Sequence, residues 1–239
     1  MLVLESIYRN LNYTALMAMN KVIVSWSGGK DSAMALYEIQ QSSEYLACAL
    51  LTTLTSESER LGIHFVRGEL IEAQAASIGL PLHKVFIGRN AANAEYEQAV
   101  ADALAQLRDA EGIETVAFGD LFLADIRKYR EELLARSWMR GIFPVWKRDT
   151  KKFVRDFIKL GFKAIVVSVN QQALDESFAG EMLNEAFLDR LPAGVDPCGE
   201  RGEFHSFVFD GPNFGRAVKF GRGEISLREG HYCCDLWLR

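Results

Sequence analysis

Apolar and polar positions along the chain fall into two periods that alternate up to about residue 170. Residues 21–26 (Lys-Val-Ile-Val-Ser-Trp) form a β-branched run that ends in glycines, and predict a buried strand. Over 31–41 the apolar residues Ala33, Leu36, Tyr37 and Ile39 predict a helix. Further strands are predicted at 46–53, 83–87, 115–118 and 163–169, with a short extended piece at 143–146. Helices are predicted at 68–78, stopped by Gly79 and Pro81, and at 91–110, ended by Gly112. Two more follow at 126–139, ended by Gly141, and at 150–160, capped by Thr150 and ended by Gly161. After Asn170 the pattern changes. One helix is expected at 179–189, then hairpin-like stretches at 206–209, 216–220, 224–227 and 232–238. Alternating strands and helices imply βαβ units, so the fold class is α/β: a doubly wound, mostly parallel sheet with a smaller C-terminal α+β region. The expected division is a disordered extension at 1–19, a main domain at 20–170, and a region at 171–239 that closes over the sheet's carboxyl edge.

Composition narrows the class. The chain has 239 residues, 49% of them hydrophobic, enough for a sizeable core. A net charge of −5 argues against duplex nucleic acid as a partner, since that needs a basic face. No run of about 18 apolar residues is present, so no membrane span is expected. The start Met1-Leu2-Val3-Leu4 is interrupted by Glu5, Arg9 and Asn10, which does not fit a signal peptide. Cys48, Cys198, Cys233 and Cys234 form no C-x-x-C pair, and read as reduced thiols of a cytoplasmic protein. The composition is compatible with a homodimer.

Three segments carry chemistry. The first is Ser27-Gly28-Gly29-Lys30-Asp31-Ser32, between the first strand and the first helix. Two glycines let backbone N–H groups approach an anion, and the helix start adds unpaired N–H groups and partial positive charge. Ser27 and Ser32 can donate to phosphate oxygens, and Lys30 can neutralise charge. The spacing is not that of a Walker A loop: Val24 stands where the first glycine belongs, and Asp31 follows the lysine. The second segment runs from Gly119 and Asp120 through Asp125, Arg127 and Arg130. It lies where a strand gives way to a helix, so Asp120 and Asp125 suit Mg²⁺ and Arg127 and Arg130 suit phosphates. A capped helix with a solvated charged face accounts for it too. The third is Asp196-Pro197-Cys198-Gly199-Glu200-Arg201-Gly202-Glu203-Phe204-His205-Ser206. Its carboxylates can hold an amine or a metal, and His205 can move a proton near neutral pH. A polar turn entering a strand is the bland explanation.

The first segment resembles the loop of the PP-loop ATP pyrophosphatases, whose signature is Ser-Gly-Gly-x-Asp-Ser. That resemblance implies a Rossmann-like ATP-binding domain at 20–170. Residues 27–32 would hold the pyrophosphate, with Mg²⁺ beside Asp31 and Asp120, and Gly119, Arg127 and Arg130 would add to the nucleotide site. With Pro144-Val145-Trp146 and the 200–206 segment, in the same order, the chain resembles the diphthine–ammonia ligase family over roughly residues 21–212. Val145 stands where that family has Leu, and Ser206 where it has Thr. The resemblance implies that ATP activates a carboxylate on an acceptor and that ammonia then forms the amide. Residues 171–239 would bind that acceptor, with Glu200, Glu203 and His205 as catalytic residues. Two other readings are weighed. A sulfur-inserting PP-loop enzyme needs a reactive cysteine, and only Cys198 lies in a candidate site. A nucleotide-binding sensor would not need Glu200 to His205.

Overall fold

The computed structural model describes residues 18–62 and 65–239. The extension expected at 1–19 therefore lies outside the described residues up to position 17. Strands β1 (Asn20–Ser25), β2 (Tyr45–Thr55), β3 (Leu82–Ile87), β4 (Thr115–Ala117) and β5 (Arg140–Ile142) form a parallel sheet in the order β3-β2-β1-β4-β5. They are connected by α1 (Lys30–Gln41), α2 (Gly68–Ile78), α3 (Asn93–Glu111) and α4 (Ala124–Ala135). The period of two along each strand divides the side chains between two cores. Val22 and Val24 pack with Met34 and Leu36 of α1 and Ile71 of α2. Ile23 packs on the opposite face with Leu104 of α3 and Leu134 of α4. A strand buried on both faces needs apolar side chains on both, which is why β1 reads as an unbroken apolar run. The strand order reverses between β1 and β4, and that switch point opens a crevice at their carboxyl ends.

A second sheet is antiparallel. β6 (Lys163–Asn170), β7 (Phe204–Asp210), β8 (Phe220–Arg228) and β9 (His231–Leu238) lie in the order β7-β6-β9-β8. The sequence assigns 163–169 to the parallel sheet; the structure pairs it with β7 and β9 instead. Six of its eight residues are buried, and a strand covered on both faces looks alike in either kind of sheet. Its partners lie more than 30 residues later, so no local signal names them. Sheet membership thus changes across the connection that holds α5 (Thr150–Lys159), ahead of β6.

Three smaller differences have local causes. The extended piece expected at 143–146 is a turn, and β5 lies just before it. The helix expected at 179–189 is a 3₁₀ turn at Glu176–Phe178 and a short α6 at Glu185–Arg190. Between them the backbone joins β6: Gly180 N donates to Val166 O at 2.7 Å, and Leu183 N to Ala164 O at 2.9 Å. Asp149, not Thr150, caps α5 by accepting from Lys152 N at 2.8 Å. Thr150 instead donates to Asp196 at 2.9 Å, tying α5 to the third chemical segment.

Candidate active site

The loop 27–32 leaves β1 at the switch point and enters α1. Gly28 has φ 72°, in the left-handed region, and an added Cβ would lie 2.6 Å from both Gln74 and Ile71. Its carbonyl accepts from Val208 N of β7 at 2.9 Å and from Gln74 Nε2 at 3.0 Å. Gln74 is fully buried on the apolar face of α2, and its Oε1 accepts from Trp26 Nε1 at 2.9 Å. One amide therefore fixes the underside of the loop to the strand before it and to the second sheet. Sequence reasoning missed Gln74, although a glutamine among Leu70, Ile71, Ala75 and Ile78 is a signal that a buried polar contact exists. On the upper side, Lys30 N donates to Ser206 Oγ at 3.2 Å, Gly29 N to Ser27 Oγ at 3.3 Å, and Ser32 Oγ to Gly29 O at 3.0 Å.

Lys30 is 4% exposed. Its ammonium contacts Asp31 Oδ2 at 2.8 Å and Glu200 Oε1 at 3.8 Å. Burial alone would depress the ammonium, but the Asp31 carboxylate, with Cys198 and Glu200 beside it, holds it above the usual lysine range. Burial pushes the Asp31 carboxyl upward, against the pull of Lys30. Burial, then the Asp31 charge, push Glu200 up to about 8. The second oxygen of Asp31, Oδ1, is buried with no hydrogen-bond partner among the described residues. An orphaned carboxylate oxygen beside a phosphate cradle fits a hard cation, which takes one or two carboxylates and completes its shell with phosphate and water.

Gly119 closes the cradle from β4. An added Cβ there would stand 2.6 Å from the carbonyl carbon of Asp31 and 2.8 Å from Ser32 N, so only glycine lets the two backbones meet. Asp120 follows, and its Oδ2 lies 2.8 Å from Arg130 Nε. That contact is one of charges, because the hydrogen bond runs instead from Arg130 Nη2 to Asp120 Oδ1 at 3.3 Å. The Arg130 guanidinium lies over Phe118 at 4.5 Å.

Ser27, Gly29, Lys30, Asp31, Ser32, Gly119, Asp120, Arg130, Glu200 and His205 line one open cavity of about 620 Å³. Three of the residues expected to bind nucleotide or to catalyse do not line it. Gly28 lies beneath the loop, as described. Arg127 turns away, with its guanidinium over Phe143 and Trp146 at 4.6 and 4.9 Å and an ion pair to Glu131 at 2.8 Å. Glu203 is 7% exposed and holds its own turn: Oε1 accepts from Asp196 N at 3.0 Å and Oε2 from Arg201 N at 2.9 Å. That carboxylate shapes the loop carrying Glu200. Cys198 is fully buried, its thiol donates to Thr150 O at 3.1 Å, and burial drives it well above the usual thiol range. A thiol so placed does not supply the thiolate that sulfur insertion needs.

A second cavity of about 260 Å³ adjoins the first at the carboxyl ends of β1, β2 and β4. Its walls include Leu51, Tyr96, Val100, Leu104, Val116 and Leu134, and it shares Ser25, Ser27, Phe118 and Arg130 with the larger cavity. Its volume exceeds the roughly 150 Å³ of an apolar cavity that takes a benzene ring, so there is room for a planar heterocycle. No sequence motif marks it, because its apolar walls are ordinary core positions of the sheet and of α3 and α4.

Known families and proteins resemble this chain along most of its length. The family description "Diphthamide synthase N-terminal domain" matches residues 20–141, and "Diphthamide synthase C-terminal domain" matches residues 149–236. The diphthine–ammonia ligase of Mus musculus is 29% identical over 222 residues, covering 84% of this chain and 83% of its own. That of Schizosaccharomyces pombe is 26% identical over 234 residues, covering 90% of this chain but 38% of its own length. That of Homo sapiens is 26% identical, covering 84% and 83%. Among solved structures, a U34-tRNA thiolase from Methanococcus maripaludis with its 4Fe-4S cluster is 15% identical at TM-score 0.37, covering 66% of this chain and 64% of that one.

Proposed function

Because the chain belongs to the diphthamide synthase family, we propose that it is an ATP-dependent ligase that adenylates an acceptor carboxylate, releases pyrophosphate and forms an amide with ammonia. The observation that carries this reading is the meeting of the 27–32 loop with Glu200 in one cavity, from segments about 170 residues apart. The base occupies the smaller cavity, and the β and γ phosphates rest on the loop and the start of α1. Asp31 and Asp120 would hold Mg²⁺, which would neutralise phosphate charge. An acceptor carboxylate oxygen attacks the α phosphorus; the bond to the bridging oxygen breaks, and its electron pair leaves with pyrophosphate. Ammonia then attacks the acyl carbon and AMP departs. Glu200 takes the proton that the attacking nitrogen sheds, which suits a carboxyl titrating near working pH. His205 lines the same cavity and serves that proton transfer, whereas Glu203 positions the turn. The sulfur-transfer reading lacks a reactive thiol. No helix among the described residues is long and apolar enough to cross a membrane, and a cytoplasmic setting fits the four reduced cysteines.

The test is nucleotide product analysis with ammonium and a diphthine-bearing acceptor protein. AMP and pyrophosphate turned over repeatedly only when both are present, with at most one pyrophosphate per enzyme from the acceptor alone, support the reading. ADP as the sole product sinks it.

A further inference from the structure

Of the four residues common to both cavities, Ser25, Ser27, Phe118 and Arg130, only the last is charged. A nucleotide with its base in the smaller cavity and its terminal phosphates on the 27–32 loop must carry its α phosphate across that junction. We propose that Arg130 is the α-phosphate ligand, the group that meets the charge developing on the phosphorus under attack. This rests on the nucleotide placement of the preceding section.

Three observations support it. The Arg130 Nε is buried and makes no hydrogen bond among the described residues, although Asp120 lies against it. The one hydrogen bond that the guanidinium makes among the described residues, Nη2 to Asp120 Oδ1 at 3.3 Å, is long for a charged pair. A guanidinium has five donors; among the described residues Nε and Nη2 meet Asp120, and the others are left for a ligand where the two cavities join. Its plane is held by the Phe118 ring at 4.5 Å, which fixes the fork before any ligand arrives. Lys30 cannot take this part, since it lines the larger cavity and not the smaller one, held there by Asp31 and Glu200. Arg127 cannot, since it lies over Phe143 and Trp146. In the reaction the α phosphorus gains a bond to the acceptor oxygen as it loses the one to pyrophosphate. The negative charge added to its non-bridging oxygens falls on the guanidinium, which keeps all its protons.

Calorimetric titration with AMP, adenosine and inorganic pyrophosphate tests this without an acceptor. AMP carries only the α phosphate, adenosine none, and pyrophosphate only the other two. In Arg130→Ala, AMP affinity is expected to fall about 10- to 100-fold, the worth of a charge-assisted hydrogen bond, while adenosine and pyrophosphate change less than about twofold. Arg130→Lys is expected to behave likewise, because an ammonium does not reproduce the stacked fork; it also decides the matter should the alanine variant not fold. Loss of pyrophosphate binding with AMP binding intact would overturn the assignment and move Arg130 to the cradle. Equal losses for all three ligands would overturn it in favour of a purely structural role. Wild-type protein that binds none of the three would overturn both this assignment and the nucleotide placement. Wild-type protein that shows the AMP pattern but forms no AMP from ATP would leave Arg130 as assigned and refute only the ligase chemistry.

Discussion

Replacing Gly119 by alanine tests how closely the two halves of the phosphate site must meet. The new Cβ would lie 2.6 Å from the carbonyl carbon of Asp31 and 2.7 Å from its oxygen, both backbone atoms in the first turn of α1. Ordinary contact needs about 3.5 Å, so one backbone must retreat by roughly 0.9 Å. Neither can yield by rotating a side chain. Overpacking of this kind costs about 1–3 kcal/mol. In a domain of this size each kcal/mol lowers the melting temperature by about 2–4 °C, so a fall of roughly 2–12 °C is expected. The catalytic effect is larger than the stability effect. A displacement near 1 Å of a positioned group costs on the order of 10²-fold in rate, so kcat/KM for ATP should drop about a hundredfold in protein that is still folded. Gly112→Ala is the control. It strains a residue at φ 67° but meets no atom within 4 Å, far from the cradle, so it should lower stability modestly and spare turnover. Differential scanning calorimetry and pyrophosphate release on the same preparations decide the matter. Gly119→Ala with wild-type turnover and an unchanged melting temperature would refute the close approach as the reason for glycine.

Two further predictions separate the carboxylates of the 196–206 segment. Glu203→Gln keeps the shape but can accept only one of the two backbone N–H bonds, leaving the other unmet at about 1–3 kcal/mol; the melting temperature should fall by several degrees while the pH–rate profile keeps its form. Glu200→Gln should do the reverse, sparing stability near neutral pH and removing the limb of the kcat/KM profile that rises through about pH 8. The sign for stability is also fixed. The folded-state value of Glu200 lies above its ordinary 4.5, so the folded protein keeps the proton longer; stability should decline as pH rises from 4.5 to about 8 and flatten in Glu200→Gln. A wild-type melting temperature that rises steadily over that window, with no difference in the variant, would contradict this.

The order of the βα units and the phosphate loop were legible in the sequence because their signals are local. A β-branched run followed by Gly28, Gly29 and a helical period says strand, tight turn and helix whatever the rest of the chain does. The same locality made the family resemblance readable from short segments. What the sequence could not say depends on who meets whom. Arg127 and Arg130 have equal claims on paper, yet three residues of helix turn them about 60° apart, enough to put one on Phe143 and Trp146 and the other at the junction of the cavities. Glu200 and Glu203 flank the same short turn, and only its backbone path, with Gly199 at φ 68° and Gly202 at φ 82°, sends one to Lys30 and the other back to its own amides. The partner strands of β6 and the apolar base cavity were silent for a related reason. Burial sets which residue types are tolerated, while the identity of the neighbour is set by chain segments far away, and that is a property of the folded whole.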